Sequence, residues 1–203
     1  MALTEQQATI AAGLYFFTLF PLAVILFLRL LKIVPNWVLA VYGYSFAICA
    51  LGWEIWYTFG LVSGVPVDER RAEALNRVVP QNINWILTSG FDAGAVCLVA
   101  LLLMWIMYGF KPTAFERLHW PAFIVILLYF VAQNVYVEYA INAQVGTDTQ
   151  LSWAPLIPTG PWWNPVLFEI NNRTITFQTQ LPWVLMTPIF YALVLWCYRR
   201  RSR

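Results

Sequence analysis

Long apolar stretches, separated by short polar segments, dominate the pattern of this chain. A helix needs about 20 mostly apolar residues to cross the hydrocarbon core of a bilayer. Stretches of this length run over about residues 10–31, 37–62, 83–108, 120–140 and 181–198. The pattern therefore predicts an all-α membrane protein. We expect a five-helix transmembrane bundle in which residues 1–203 form a single domain.

Lysine and arginine near the span ends predict the orientation, because cytoplasmic loops carry an excess of these residues. The first loop carries Arg29 and Lys32, and the third loop carries Lys111 and Arg117. The C-terminus adds a cluster of arginines over residues 199–203. These three regions alternate so that they share the cytoplasmic side, which predicts N-out and C-in. The protein is expected to be multi-pass, in a bacterial inner membrane or, in a eukaryote, in the endoplasmic reticulum.

The segment between the last two spans, residues 141–180, is predicted to form a Trp- and Pro-rich outer cap. Four prolines and three tryptophans (Trp153, Trp162 and Trp163) between residues 153 and 165 disfavour a sixth span over residues 151–170. Two short β-rich runs, over residues 166–170 and 173–177, flank an Asn-Asn pair. Asparagine tolerates the positive φ of a primed turn, so this part of the cap is predicted to be a β-hairpin.

Composition agrees with the membrane class and limits the chemistry. Hydrophobic residues make up 61% of the chain and charged residues only 11%, against about half and about a quarter in soluble domains. The net charge of +2, without a basic groove, gives no indication of nucleic-acid binding. One histidine, His119, and three cysteines without metal-binding spacing predict neither a metal site nor a cofactor.

Carboxylates inside the predicted spans are the strongest functional signal, because a charge in the bilayer costs at least about 2 kcal/mol. They are Glu54, Asp92 and Glu138. At about 1.5 Å per residue, Glu54 lies roughly 12 Å below the outer end of the second span and Asp92 roughly 13 Å below that of the third. Glu138 lies near the outer end of the fourth span. Glu54 and Asp92 are therefore expected at matching depth on antiparallel neighbours.

Helical spacing places polar and aromatic side chains around this pair. The expected substrate-binding side chains come from three spans and are Trp53, Tyr57, Trp85, Asn134 and Glu138, with Trp56 and Tyr136 as further walls. No lysine or arginine is expected at the depth of Glu54 and Asp92, so the two carboxyls cannot both be comfortably ionised. One protonated and one ionised carboxyl form an acid/base pair suited to an apolar substrate. The same pair could instead carry protons or a cation, or could serve only as hydrogen-bond partners.

The run Gly52-Trp53-Glu54-Ile55-Trp56-Tyr57 resembles the Trp-Glu-x-x-Tyr motif of the small integral-membrane terpene cyclases of fungal meroterpenoid and indole-diterpene pathways. The resemblance implies a cofactor-free enzyme in which Glu54 protonates a prenylated substrate. Aromatic walls would then stabilise the carbocations of the cyclisation. The chain departs from the family in having five predicted spans instead of seven. It also has no carboxylate in its last span, where the family carries its second acid.

Three functions follow from these patterns. The first is a membrane enzyme, a lyase or isomerase, that uses Glu54 and Asp92 to cyclise or isomerise a lipophilic, isoprenoid-like substrate. The second is a non-catalytic subunit or assembly factor that docks a membrane protein partner through its outer cap. The third is a proton- or cation-coupled transporter, which the lack of an internal repeat disfavours.

Overall fold

A computed structural model describes residues 2–61, 65–142, 164–170 and 173–200 of the chain. Five helices in this part are long and apolar enough to cross a membrane. They are α1 (Glu5–Leu30), α2 (Asn36–Phe59), α4 (Gln81–Met107), α5 (Trp120–Ala140) and α6 (Phe177–Arg200), and a short helix α3 (Glu73–Val78) lies between α2 and α4. The five predicted spans are confirmed as helices, with ends that differ by no more than five residues.

Local sequence explains two of the helix ends. Thr4 and Gln7 form a reciprocal capping box at the start of α1, which satisfies two N–H groups that the first turn leaves free. Gly60 ends α2 with a φ of 62°, in the left-handed region that glycine adopts without strain. The second span therefore ends before residue 62, where the hydrophobic pattern alone had placed its end.

Three of the long helices contain a π-helical segment, in which the backbone hydrogen bonds reach one residue further than in an α-helix. The segments are Ala50–Glu54 in α2, Asp92–Leu98 in α4 and Val137–Asn142 at the end of α5. Such segments are rare and occur often at functional sites. Each one contains one of the three predicted intramembrane carboxylates, a coincidence that hydropathy does not predict.

Helix α4 lies at the centre of the bundle and packs against α1, α2 and α5, while α6 packs against α2 and α5. It crosses α1 where Gly90 faces Thr18 and Gly94 faces Pro21. The Thr18 hydroxyl also donates a 2.7 Å hydrogen bond to the Leu87 carbonyl. Small residues four apart let two helix backbones approach closely. The Gly90 and Gly94 pair thus determines the position of α1 on α4.

The interior is a continuous apolar and aromatic cluster contributed mainly by α2, α4, α5 and α6. The outward faces are apolar as well: Leu30 is 81% exposed and Leu128 is 64% exposed. A soluble monomer rarely exposes apolar patches of this extent. The surface is therefore consistent with the predicted lipid contact.

The structure confirms the two strands of the predicted hairpin. Strands β1 (Val166–Ile170) and β2 (Arg173–Thr176) pair in antiparallel fashion with Ile170 opposite Arg173. The two asparagines of the turn, and residues 143–163 with Trp153, Trp162 and Trp163, lie outside the described residues.

Helix α6 follows β2 directly, so the outer cap ends at residue 176 and not at residue 180. The helix begins this early because a residue distant in sequence caps its N-terminus. The Asn164 side chain accepts a hydrogen bond of 2.8 Å from the Gln178 backbone N–H and so satisfies a free donor in the first turn of the helix.

Candidate functional site

The structure brings Glu54 and Asp92 close enough to interact electrostatically. Glu54 is the last residue of the π-helical segment of α2, and Asp92 is the first residue of that of α4. Both side chains are buried, with exposed fractions of 8% and 7%. The predicted convergence of the two carboxyls is therefore present in the structure.

Asp92 is held by the residue that precedes Glu54. The Trp53 indole Nε1–H donates a 2.9 Å hydrogen bond to Asp92 Oδ2. The Trp53 ring packs against Trp183 of α6, with ring centroids 5.2 Å apart. Trp53 was predicted to contact substrate, but in this arrangement its polar edge is occupied by Asp92.

Glu54 is held less completely. Its side chain lies close to Thr88 of α4, whose hydroxyl donates to the Asn84 carbonyl. Glu54 Oε2 is buried without a partner among the described residues. Trp85 lies beside this contact, half-buried, and its indole N–H donates a 2.9 Å hydrogen bond to the Ala50 carbonyl at the start of the π-helical segment. Buried polar atoms almost always have partners, and Glu54 Oε2 is an exception.

A cation approaches this site, which corrects the expectation that none would be available at the depth of Glu54. Arg70, in the loop after α2, is only 7% exposed and donates from Nη2 to the Tyr57 carbonyl. Its guanidinium carbon lies 4.5 Å from the centre of the Tyr57 ring, and its charge reaches Glu54. Arg70 Nη1 is buried without a partner among the described residues. The sequence pattern did not predict this position of Arg70, because the positive and negative charges of the loop cancel.

Arg71 holds the loop in place. Its guanidinium donates hydrogen bonds to the side-chain oxygens of Asn76 at 2.6 Å and Asn84 at 2.8 Å, and to the Val79 carbonyl. Burial lowers the pKa of Arg71 below its ordinary value because desolvation disfavours the charged form. The three acceptors offset that cost, so Arg71 acts as the structural centre of the loop that positions Arg70.

The third carboxylate, Glu138, lies in a separate hydrogen-bonded group between α5 and α6. Its Oε1 accepts hydrogen bonds from Asn134 Nδ2 at 3.1 Å and from Gln180 Nε2 at 2.8 Å. Asn134 also donates to the Thr179 carbonyl at 2.9 Å. The predicted pair of Asn134 and Glu138 is thus present. Gln180 was not predicted, because the sequence pattern assigned it to the outer cap and began the last span at residue 181.

Tyr57 connects the two groups. Its hydroxyl lies within electrostatic range of both Glu54 and Glu138, as well as of Arg70. The carboxyl pair and the hydrogen-bonded group of Glu138 are therefore both within electrostatic range of Tyr57.

Two predicted walls differ from expectation. Tyr136 is 54% exposed and packs edge-on against Tyr139, so it faces away from the site. Trp56 is only half-buried. Trp183, which was not predicted, forms an inner wall of the site. Its ring packs between those of Trp53 and Phe130 in the core. The fully buried thiols of Cys49 and Cys97 are in hydrogen-bond contact below the carboxyls, which agrees with core packing.

The chemistry available here is proton transfer. In the part of the chain that the structure describes, no three His, Cys, Asp or Glu side chains come together in a way that could hold a metal ion. Carboxyls, a phenol and a guanidinium can donate, accept and stabilise protons and charge. The chain matches no protein-family model, no curated protein and no solved structure.

Proposed function

We propose that the protein is a multi-pass integral membrane protein with its N-terminus outside and its C-terminus in the cytoplasm. The membrane is the bacterial inner membrane or, in a eukaryote, the endoplasmic reticulum. Five helices of spanning length and their exposed apolar faces support insertion. The distribution of lysine and arginine supports the orientation.

We further propose that it is a cofactor-free enzyme that cyclises or isomerises a lipophilic, isoprenoid-like substrate. The observation that carries this proposal is the asymmetry of the carboxyl pair. Asp92 is tied to Trp53, whereas Glu54 Oε2 is buried without a partner among the described residues. Two adjoining buried carboxyls share one proton, because desolvation and mutual repulsion oppose a double charge. The unpartnered Glu54 oxygen is the one from which that proton can leave.

The reaction balances without a co-reactant. Glu54 transfers its proton to a double-bond carbon or to an epoxide oxygen of the substrate. A carbocation forms as the π bond or the epoxide C–O bond breaks, and the epoxide oxygen stays in the molecule as a hydroxyl. Ring closure or migration moves the charge, and the surrounding aromatic rings stabilise it. Loss of a proton from a neighbouring carbon to the carboxyl pair ends the reaction and restores the pair. The product has the elemental formula of the substrate.

The test uses the purified protein in nanodiscs, incubated in deuterated buffer with a lipid extract from its own host. Products are separated by liquid chromatography and identified by mass spectrometry. We expect a new isomer of unchanged formula, with one deuterium on carbon where a double bond was protonated. Glu54→Gln should lower its rate at least about 100-fold, because general acid catalysis contributes about 10²–10⁴-fold.

The matched control is Glu73→Gln, which removes an exposed carboxyl of α3 outside the spans. Glu73→Gln should leave the product unchanged. Unchanged turnover in folded Glu54→Gln would exclude Glu54 as the proton donor.

A second candidate function is a non-catalytic subunit, and the hairpin favours it. Val166, Leu167 and Phe168 of β1 are exposed by 56%, 47% and 44%, and apolar groups on an edge strand suit a protein contact. Native mass spectrometry of gently extracted protein tests this reading. A stoichiometric protein partner that is lost in Phe168→Ser supports it, and a partner-free chain with a small lipophilic adduct supports the enzyme.

A further inference from the structure

A groove of about 820 Å³ lies at the end of the bundle opposite the carboxyl site. It is formed where the end of α1 and the following turn meet the start of α2 and the end of α6. Its walls include three cations and three aromatic rings: Arg29, Lys32, Arg200, Trp37, Tyr44 and Trp196. None of the described residues that line it is an aspartate or a glutamate. The groove therefore has an excess of positive charge beside aromatic surface.

The cations are held at the groove by contacts that leave donors available. Arg29 uses Nε on the Asn36 side chain, and Arg200 lies with its guanidinium carbon 4.2 Å from the centre of the Trp196 ring. An arginine has five N–H donors in a planar fork. Each of these two arginines therefore retains donors for an oxyanion.

Lys32 occupies a strained position. Its φ is 60°, in the left-handed region that favours glycine, and a non-glycine residue there is strained. It closes the turn after α1, where Ile33 N–H bonds to the Leu28 carbonyl at 2.9 Å. A glycine would close the same turn without strain, so the turn itself does not require a lysine.

Trp37 adds an unused donor to the same groove. The residue is 7% exposed, and its indole Nε1 has no hydrogen-bond partner among the described residues. Buried N–H groups almost always have a hydrogen-bond partner. A ligand oxygen in the groove would satisfy it.

We propose that this groove binds the phosphate group of an anionic phospholipid. The cations and the Trp37 N–H are donors for the phosphate oxygens. The wall formed by Tyr44 and Trp196, 47% and 38% exposed, continues onto the apolar outer surface of α2 and α6 and offers a path for an acyl chain. Basic pockets at the cytoplasmic ends of spanning helices bind such headgroups, and the positive-inside rule places this end in the cytoplasm.

The site is tested by native mass spectrometry of the full-length protein titrated with dioleoyl-phosphatidylglycerol or dioleoyl-phosphatidylcholine. We expect one phosphatidylglycerol to bind at least tenfold more tightly than phosphatidylcholine. Lys32→Gly should weaken phosphatidylglycerol binding about fivefold while the melting temperature stays the same or rises, because glycine relieves the strained φ. Trp37→Phe, which keeps the ring and removes the N–H, should weaken it as well.

The matched controls are Lys111→Gln and Trp120→Phe, at residues outside the groove. They should leave lipid binding unchanged. Equal affinity for the two lipids overturns the proposal, and so does an equal loss in Lys32→Gly and Lys111→Gln. Displacement of phosphatidylglycerol by millimolar inorganic phosphate would assign the same donors to a soluble phosphate compound and overturn the lipid assignment.

Discussion

The indole N–H of Trp53 donates a 2.9 Å hydrogen bond to Asp92 Oδ2 and so ties the carboxyl of α4 to the residue beside Glu54 on α2. The contact lies where both helices are π-helical, and the Trp85 hydrogen bond to the Ala50 carbonyl joins the same two helices. The Trp53 hydrogen bond also explains why the two carboxyls differ, because only Asp92 receives the indole donor.

Trp53→Phe tests this link directly. Phenylalanine keeps an aromatic ring against Trp183 but removes the donor to Asp92, which leaves a buried carboxyl unpartnered at a cost of about 1–3 kcal/mol. We expect a lower melting temperature in detergent and a lower yield of the isomerised product. Trp56→Phe, at the half-buried neighbouring tryptophan, is the control and should change neither quantity.

Asp92→Asn tests the shared proton. Asparagine keeps the shape of the side chain but cannot exchange a proton with Glu54, so we expect the protein to fold and its turnover to fall at least about 100-fold. Isomer yield and melting temperature are measured on the same preparation. Turnover at the wild-type level in a folded Asp92→Asn protein would restrict the chemistry to Glu54 alone.

Arg71→Gln tests the loop that positions Arg70. The variant removes the donor to the Asn76 and Asn84 side chains and the Val79 carbonyl, and we expect it to destabilise the protein by about 3 kcal/mol. Arg77→Gln is the matched control, because its salt bridge with Glu73 is exposed and such pairs contribute little. Equal melting temperatures of the two variants would contradict a structural role for Arg71.

Gly90→Ala tests the crossing of α1 and α4. An added Cβ would lie 2.6 Å from the Thr18 methyl carbon, so overpacking should destabilise the protein by about 1–3 kcal/mol. At Gly43 in α2 nothing lies within 4 Å of an added Cβ. Gly43→Ala should therefore raise stability by up to about 1 kcal/mol, as alanine does in helices. Thermal unfolding in detergent should give shifts of opposite sign.

The orientation is tested with single introduced cysteines at the two ends of the chain. Ala2→Cys should react with a membrane-impermeant maleimide in intact cells, and Ser202→Cys should react only after permeabilisation. The natural thiols Cys49, Cys97 and Cys197 are buried, so they should give little background. The reverse labelling pattern would reverse the predicted topology.

The helices, the hairpin strands and the two buried carboxylates could be predicted from the amino-acid sequence. Each of these depends on short-range information. A run of apolar residues specifies a spanning helix wherever it packs, and alternating β-branched residues beside asparagines specify a hairpin. Glu54 and Asp92 could be paired because consecutive antiparallel spans bring equal depths together.

The contacts that hold the carboxylates and their neighbours could be seen only in the tertiary structure. The π-helical segments shift backbone hydrogen bonds by one residue, which leaves the hydropathy pattern unchanged. The fold-back of Arg70 onto Tyr57, the Asn164 cap on α6 and the wall formed by Trp183 join residues that are distant along the chain. Such contacts depend on which surfaces meet after the helices pack, and so no local pattern could specify them.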